Sequence, residues 1–190
     1  MKTQVRVVGI DDSPFAFKNG SVHVVGVVMR IPNYIEAVMT AKCEIDGTDA
    51  NDVLVSMLRK SRYLEQLKLI MIDGIALGGF NIVDISYLQE ATGIPSATVT
   101  RDMPDKVMIR SALKKHFPDW GERMRMIDKH RLIPIPTLHK PIYISVSGMD
   151  VNEASELIQG CTIRGNIPEP IRIAHLIARA IVNGESRGRS

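Results

Sequence analysis

The stretch KLIMIDG, residues 68–74, decides the fold of this chain. It is a short, continuous apolar run that ends in Asp73 and Gly74, as a strand buried on both faces and closed by a turn does. Before it, TDAND at 48–52 supplies helix N-cap residues, and apolar residues then recur at helical spacing from about Ala50. Because that helix must cross over to deliver the strand, the segment predicts parallel strands with a right-handed crossover.

Upstream lie three runs rich in β-branched residues, separated by turn signals. They are QVRVVGI at 4–10, SVHVVGVVMR at 21–30 and YIEAVMTAKCEI at 34–45. The turns DDSP, KNG and DGTD are short, so these strands are predicted to form an antiparallel meander.

Downstream, helical and strand patterns alternate. We predict a glycine-rich loop at 74–81, a helix around 84–92, a strand at 96–100, a helix from Lys106 to His116, an edge strand or irregular pair in the proline-rich segment 131–148, and two helices at 149–161 and 169–184. Three antiparallel strands followed by alternating helix and strand is the order of an α/β, ribonuclease H-like mixed sheet flanked by helices, with the first strand central. No composition break divides residues 1–190, which are predicted to form a single domain.

Composition and charge limit the classes of protein to which this sequence can belong. The formal net charge is only +3, but Lys and Arg cluster at 59–63, 112–116, 123–131 and in the tail 185–190; solvated surface is the default interpretation of each cluster. Cys43 and Cys161 lack metal-ligand spacing, which favours a reducing cytoplasm. No signal-peptide core and no apolar run near 18 residues is present, so we expect no membrane insertion.

Acidic residues follow the predicted strands. Asp11 and Asp12 end the first strand and Asp73 ends the first parallel strand, so their side chains are expected at one edge of the sheet, where α/β proteins bind ligands. Asp52, in the first turn of the intervening helix, is expected to lean over the same edge. Converging carboxylates repel one another unless a cation neutralises them, and hard oxygen ligands suit Mg²⁺ or Mn²⁺. We predict metal-dependent phosphodiester hydrolysis by Asp11, Asp52 and Asp73, with Asp12 substituting or assisting.

Simpler interpretations compete. Each Asp motif after a strand is also common turn chemistry, and an acidic residue such as Asp52 is favoured by the helix dipole in any case. No GxGxxG or GxxxxGK motif supports nucleotide binding. The five histidines show no ligand spacing and are predicted to be structural or on the surface, and Trp120 is predicted to be a partly buried anchor rather than a base-stacking platform.

Five segments in order resemble the endonuclease V superfamily, and most closely its smaller endonuclease dU relatives. VVGIDDSPF at 7–15 resembles the opening strand with its G-x-D aspartate at Asp11. The block 69–101 is similar to the family's D-G…I-P-x-x-x-V-x-K segment, with Arg101 at the lysine position. Counting back by the family interval from Asp73 reaches Asp52. YISVSGMDVNEASEL at 143–157 and IPEPIRIAHLIARA at 167–180 are similar to the segments that follow.

The resemblance implies a ribonuclease H-like fold, a divalent metal at the three carboxylates and cleavage near a deaminated base. Uracil in DNA is implied by the closer relatives, and hypoxanthine in DNA or RNA by endonuclease V. Arg101 and Ser13 are then expected to contact nucleic acid. Two departures stand out: Gly79 occupies the position of a family histidine, and PNYIEA at 32–37 lies far from Asp52 for a P-Y-I-P wedge. A non-catalytic nucleic-acid-binding or scaffolding domain with the same fold is the alternative function, and a small-molecule phosphohydrolase that uses the same carboxylates is a third. The protein is expected to be a monomer or a homodimer.

Overall fold

A computed structural model describes residues 4–15 and 20–187. Nine strands are present in that part of the chain: β1 Arg6–Asp12, β2 Ser21–Arg30, β3 Tyr34–Glu44, β4 Leu67–Asp73, β5 Ala76–Leu77, β6 Asn81–Ile82, β7 Ser96–Thr100, β8 Ile133–Ile135 and β9 Ile142–Ser147. The helices are α1 Ala50–Arg59, α2 Ile85–Thr92, α3 Lys106–His116, α4 Trp120–Lys129, α5 Val151–Gly160 and α6 Glu169–Asn183. Part of the predicted KNG turn and the end of the basic tail lie outside the described residues.

Seven strands form one mixed sheet in the order β3-β2-β1-β4-β7-β9-β8. The first three strands are the predicted antiparallel meander. β1, β4 and β7 are parallel neighbours, so the predicted crossover through α1 is confirmed and the first strand is internal. The proline-containing strand β8 lies at the sheet edge, where a residue without a backbone N–H is tolerated.

Side chains alternate between the two faces of the sheet. Even-numbered residues of β1 and β4, such as Ile10 and Ile72, pack with α1 and α2. Odd-numbered residues, such as Val7 and Met71, pack with α5 and the start of α6 on the opposite face. Each face buries a separate hydrophobic cluster, and this period-2 alternation decides which functional side chains can meet.

Helix α4 was not predicted from the sequence. Its segment is strongly charged, and the default interpretation of its basic cluster at 123–131 is solvated surface. In the structure Met124 and Ile127 pack into a small cluster with Ile82 and Leu113. Arg123 corrects the surface interpretation most clearly, because it is buried and donates to the backbone oxygens of Gly47 and Phe80 and to the Asp119 carboxylate.

Candidate metal centre

Two predicted aspartates meet at the carboxyl edge of the sheet. Ile10 of β1 is level with Ile72 of β4, so Asp11 and Asp73 end adjacent parallel strands. Both are odd-numbered and therefore face α6. The backbone of α6 lies directly against β1 here: a Cβ on Gly9 would come within 2.3 Å of the Ile171 nitrogen. This close approach brings the next turn of α6 over the strand ends.

That turn carries His175, which completes the site. Ligand atoms of Asp11, Asp73 and His175 all lie within 4.8 Å of one another. The imidazole Nδ1 donates to Oδ2 of Asp11 at 2.7 Å, and the other oxygen of Asp11 accepts from the backbone N–H of Asp12 at 2.8 Å. Asp11 is only 4% exposed, whereas Asp73 and His175 are half-buried and keep part of their surface in contact with solvent.

The electrostatics of this group favour a bound cation. Burial raises the pKa of Asp73 above its usual range, and the nearby Asp11 carboxylate raises it further, against the opposing charges of Arg101 and His175. The hydrogen bond to Asp11 raises the pKa of His175, with burial acting in the opposite direction. The two carboxylates of Asp11 and Asp73 disfavour each other's ionisation at this edge, and a divalent ion bound between them relieves that repulsion.

Asp12 points away from this group. Its carboxylate accepts from the backbone N–H of Gly78 at 2.8 Å, on the sheet face that packs with α1. Burial raises the pKa of Asp12 to about 6, although the Gly78 hydrogen bond lowers it. Consecutive residues in a strand face opposite sides, so Asp11 and Asp12 do not share a site.

The structure does not bring Asp52 to Asp11 and Asp73. Helix α1 buries Leu54 and Leu58 against the sheet face opposite to α6, and this leaves Asp52 exposed. The Asp52 carboxylate instead accepts from the Tyr87 hydroxyl at 3.1 Å. In the described part of the chain, the candidate group at this edge therefore consists of Asp11, Asp73 and His175, and Asp52 lies outside it.

The two predicted nucleic-acid contacts differ in accessibility. Arg101 is exposed just beyond β7, and its positive charge acts on Asp73. Ser13 is 2% exposed, and its hydroxyl oxygen accepts from the backbone N–H of His23. Ser13 therefore extends the pairing of β1 with β2 rather than presenting its hydroxyl to solvent.

The structure also shows where the two departures from the family pattern lie, at Gly79 and at PNYIEA. Gly79 has φ +92°, and a Cβ there would come within 2.3 Å of an Asp46 carboxylate oxygen, so a histidine does not fit without a local shift. PNYIEA spans the β2–β3 turn and the start of β3. Because Arg30 of β2 pairs with Arg6 at the beginning of β1, this turn lies at the end of the sheet opposite to Asp11.

His175 was missed because no local spacing marks it. It is separated from Asp11 by 164 residues along the chain, and within α6 its neighbours are apolar residues that pack on the sheet. The only signal in the sequence is its place at the end of the P-E-P-x-R-x-A-H segment, and that resemblance by itself assigns no role in metal binding.

These features define a class of protein: a ribonuclease H-like fold with carboxylates at the ends of its parallel strands. The catalytic domain of human endonuclease V aligns with 96% of this chain and 84% of its own, with a TM-score of 0.62 and 18% identity. An endonuclease V from Ciona intestinalis, solved with a 24mer DNA containing an inosine followed by a ribo-adenosine, gives a TM-score of 0.58 at 17% identity, over 92% of this chain and 84% of its own. At such identities the likeness shows the fold alone.

The family follows from closer matches. The model of the endonuclease dU family matches residues 3–182, and the chain belongs to that family. A UPF0215 protein of Methanosarcina barkeri is 44% identical over 100% of this chain and 97% of its own length. A protein of unknown function from Archaeoglobus fulgidus is 38% identical, with a TM-score of 0.85 over 95% of this chain and 100% of that one. No helix in the described ranges has the length and apolarity that crossing a membrane requires.

Proposed function

We propose that this protein is a Mg²⁺-dependent endonuclease, able to use Mn²⁺, that hydrolyses phosphodiesters near deaminated bases. The observation that carries the proposal is the convergence of Asp11, Asp73 and His175 within 4.8 Å at the carboxyl edge of the sheet. Membership in the endonuclease dU family supports nuclease chemistry at that edge.

The donor set fits a divalent ion. Two carboxylates from adjacent strands supply hard oxygen ligands, and the imidazole nitrogen is a donor that Mn²⁺ accepts more readily than Mg²⁺. Asp11, Asp73 and His175 are proposed to hold the ion. When bound, such an ion polarises a phosphodiester and activates water for attack. Asp52 stands outside this set in our proposal, because its carboxylate lies on α1 with Tyr87 as partner.

The chain's own residues set up the reaction around that ion. Asp11 is fixed by the backbone N–H of Asp12 and by His175, so its carboxylate is oriented before any ligand arrives. Arg101, exposed beside Asp73, is proposed to contact a phosphate next to the scissile one, since a planar guanidinium matches phosphate oxygens. His175 is proposed to hold its proton on Nδ1 against Asp11, which fixes the orientation of the imidazole ring and leaves Nε2 as the nitrogen that would bind the ion.

Uracil in DNA is the proposed target, because the family is named for deoxyuridine. Inosine, present in the DNA bound by the Ciona protein, is the second substrate to test. A role in DNA repair within the cytoplasm is proposed; the free, buried Cys43 and Cys161 fit a reducing compartment.

The experiment compares two isosteric variants, Asp73→Asn and Asp52→Asn. Nicking of a uracil-containing oligonucleotide in Mg²⁺ or Mn²⁺ is expected to fall by about 10²-fold or more in Asp73→Asn, because a metal ligand is lost. In Asp52→Asn it is expected to change by less than about threefold, a range typical of exposed positions away from the chemistry. Undiminished nicking by Asp73→Asn would refute the mechanism. Binding by the wild type without nicking, across uracil and inosine substrates and both metals, would favour a non-catalytic binding domain instead.

A further inference from the structure

Helix α6 packs on β1 and β2 and runs toward the sheet edge at which β1 ends. Pro170 and Ile171 lie against Gly9, and His175 lies against Asp11, so α6 and β1 advance toward the same edge of the sheet. β1 ends one residue beyond Asp11. The following turn of α6, which rises about 6 Å, therefore lies beyond Asp11 in the direction in which β1 ends, on the sheet face that carries the candidate metal centre.

Arg179 is the residue on that turn. It follows His175 by four positions and so lies on the same face of the helix, and helical side chains lean back toward the N-terminus, here toward His175. The positive charge of Arg179 acts on the imidazole and lowers the pKa of His175, opposing the larger effect of Asp11. Arg179 is thus close to the metal centre, although neither carboxylate of that centre pairs with it.

Arg179 has no hydrogen bond and no ion pair with any residue in the ranges 4–15 and 20–187, and its Nε is buried without a partner. Other arginines of the protein are engaged: Arg6 with Glu36, Arg123 with Asp119, and Arg172 with Glu169. A buried, unpaired donor on a charged side chain is unfavourable in the folded protein. Its place beside the metal centre suggests that the partner of the guanidinium is a ligand.

A second unpaired guanidinium lies on the other side of the centre. Arg101 comes from the end of β7, next to β4, whereas α6 lies over β1 and β2. Arg101 likewise has no hydrogen-bond partner among the described residues, and its charge acts on Asp73. The two arginines therefore flank the Asp11, Asp73 and His175 group from opposite sides.

We propose that Arg179 binds a backbone phosphate of the nucleic acid, on the side of the scissile bond opposite to the phosphate held by Arg101. The inference rests on the proposed function and assigns a residue to it. A guanidinium presents several N–H donors in one plane, and this arrangement matches two phosphate oxygens. When a cation occupies the carboxylates of the site, the guanidinium donors remain available for the substrate.

The test measures binding without turnover. Fluorescence anisotropy of a labelled, uracil-containing single-stranded DNA is followed in EDTA across a salt series, for wild type, Arg179→Gln, Arg179→Lys and Arg164→Gln. Arg164 is the matched control: it is an exposed arginine without a partner among the described residues, in the loop before α6 and thus at the other end of that helix. Thermal unfolding of each variant reports any structural effect.

Arg179→Gln is expected to weaken binding by about tenfold, the typical loss of one charge-assisted hydrogen bond. The slope of log affinity against log salt should fall in magnitude by roughly 0.7, the value for one phosphate contact on a single strand. Arg179→Lys should keep the slope and lose part of the affinity, because the charge stays while the planar donors are removed. Arg164→Gln should match the wild type.

An unchanged slope in Arg179→Gln would overturn the inference and leave the proposed nuclease function standing. Equal losses in Arg179→Gln and Arg164→Gln would also overturn it, since the effect would then be one of net charge. A lower unfolding temperature with unchanged affinity would assign Arg179 a structural role. Wild-type protein that binds DNA normally but never nicks it would refute the nuclease and not the phosphate contact, whereas wild type that binds no DNA would refute both.

Discussion

At the scale of single residues, the site depends on the alternation of a strand. Asp11 and Asp12 are adjacent and chemically identical, yet one faces His175 and the other faces the backbone N–H of Gly78. Their neighbours, and hence their roles, are set by which side of the sheet each carboxylate occupies. The first is a candidate metal ligand, and the second is a half-buried carboxylate that forms no ion pair with any described residue.

Asp12→Asn is expected to stabilise the protein at neutral pH. The pKa of Asp12 in the folded state is about 6, above its value of 3.8 when exposed, so folding disfavours the ionised form. The stability linked to Asp12 is fully present below about pH 3.8 and is lost as pH rises through about 6. At pH 7.5 the variant should unfold with a free energy higher by about 1–3 kcal/mol, given 1.36 kcal/mol per pKa unit.

Urea unfolding of wild type and Asp12→Asn at pH 7.5, 5.0 and 4.0 measures this difference, which should shrink at each step. The asparagine oxygen can still accept from Gly78, so the comparison isolates the charge. Nicking should persist in the variant, because Asp12 lies on the other face of the sheet from the metal centre. A variant that loses metal binding would show that Asp12 assists the site after all.

At the scale of elements, the site depends on how closely α6 lies on β1. Gly9 permits the contact: a Cβ there would meet the Ile171 nitrogen at 2.3 Å and the Pro170 carbonyl carbon at 2.4 Å. These are backbone atoms, which cannot move aside as the end of a flexible side chain can. The glycine therefore controls the position of His175, one turn along the same helix.

Gly9→Ala is expected to destabilise the fold by about 1–3 kcal/mol, the usual effect of an overpacked core, and to weaken metal binding by displacing His175. The control is Gly121→Ala in α4, where a new Cβ would meet nothing within 4 Å. This control should be neutral or more stable by up to about 1 kcal/mol, since alanine favours a helix. Calorimetric unfolding with and without Mn²⁺ measures both effects. Equal behaviour of the two variants would mean that α6 adjusts to the added methyl group.

At the scale of the whole molecule, metal binding should couple to folding and to pH. A ligand that binds only the folded state raises its stability by mass action. The pKa values of Asp73 and His175 are raised in the metal-free protein. These two groups therefore stabilise the fold at low pH, and that stabilisation is lost as the pH rises through their folded-state pKa values. A cation needs both groups deprotonated, and its effect therefore has the opposite pH dependence.

We therefore compare the unfolding temperature in excess Mn²⁺ with that in EDTA. The difference between the two is expected to increase from pH 5.5 to pH 7.5, by several degrees for a chain of this size. Differential scanning fluorimetry in both conditions gives this difference directly. Asp73→Asn should show almost none at any pH. A difference that is constant with pH would mean that the ion binds away from Asp73 and His175.

The sequence by itself determined the elements and much of their order. Continuous apolar runs such as 68–73, turn residues and helix caps are local signals, so the meander, the crossover through α1 and the helix at Lys106–His116 were predicted from short windows. The ends of parallel strands share an edge, and this rule alone predicted that Asp11 and Asp73 would meet. Helix α4 was not predicted because its few buried residues are dispersed among charged ones.

Only the tertiary structure decided which third group joins them. Asp52 and His175 lie on helices packed against opposite faces of one sheet, and the choice between them depends on the packing of α1 and α6, which no local pattern encodes. Contacts between residues 164 positions apart arise from the folded arrangement of whole elements. Of the three aspartates that the sequence predicted, Asp11 and Asp73 meet at the edge they share. The folded chain supplied His175 and, beside it, Arg179, which has no partner among the described residues.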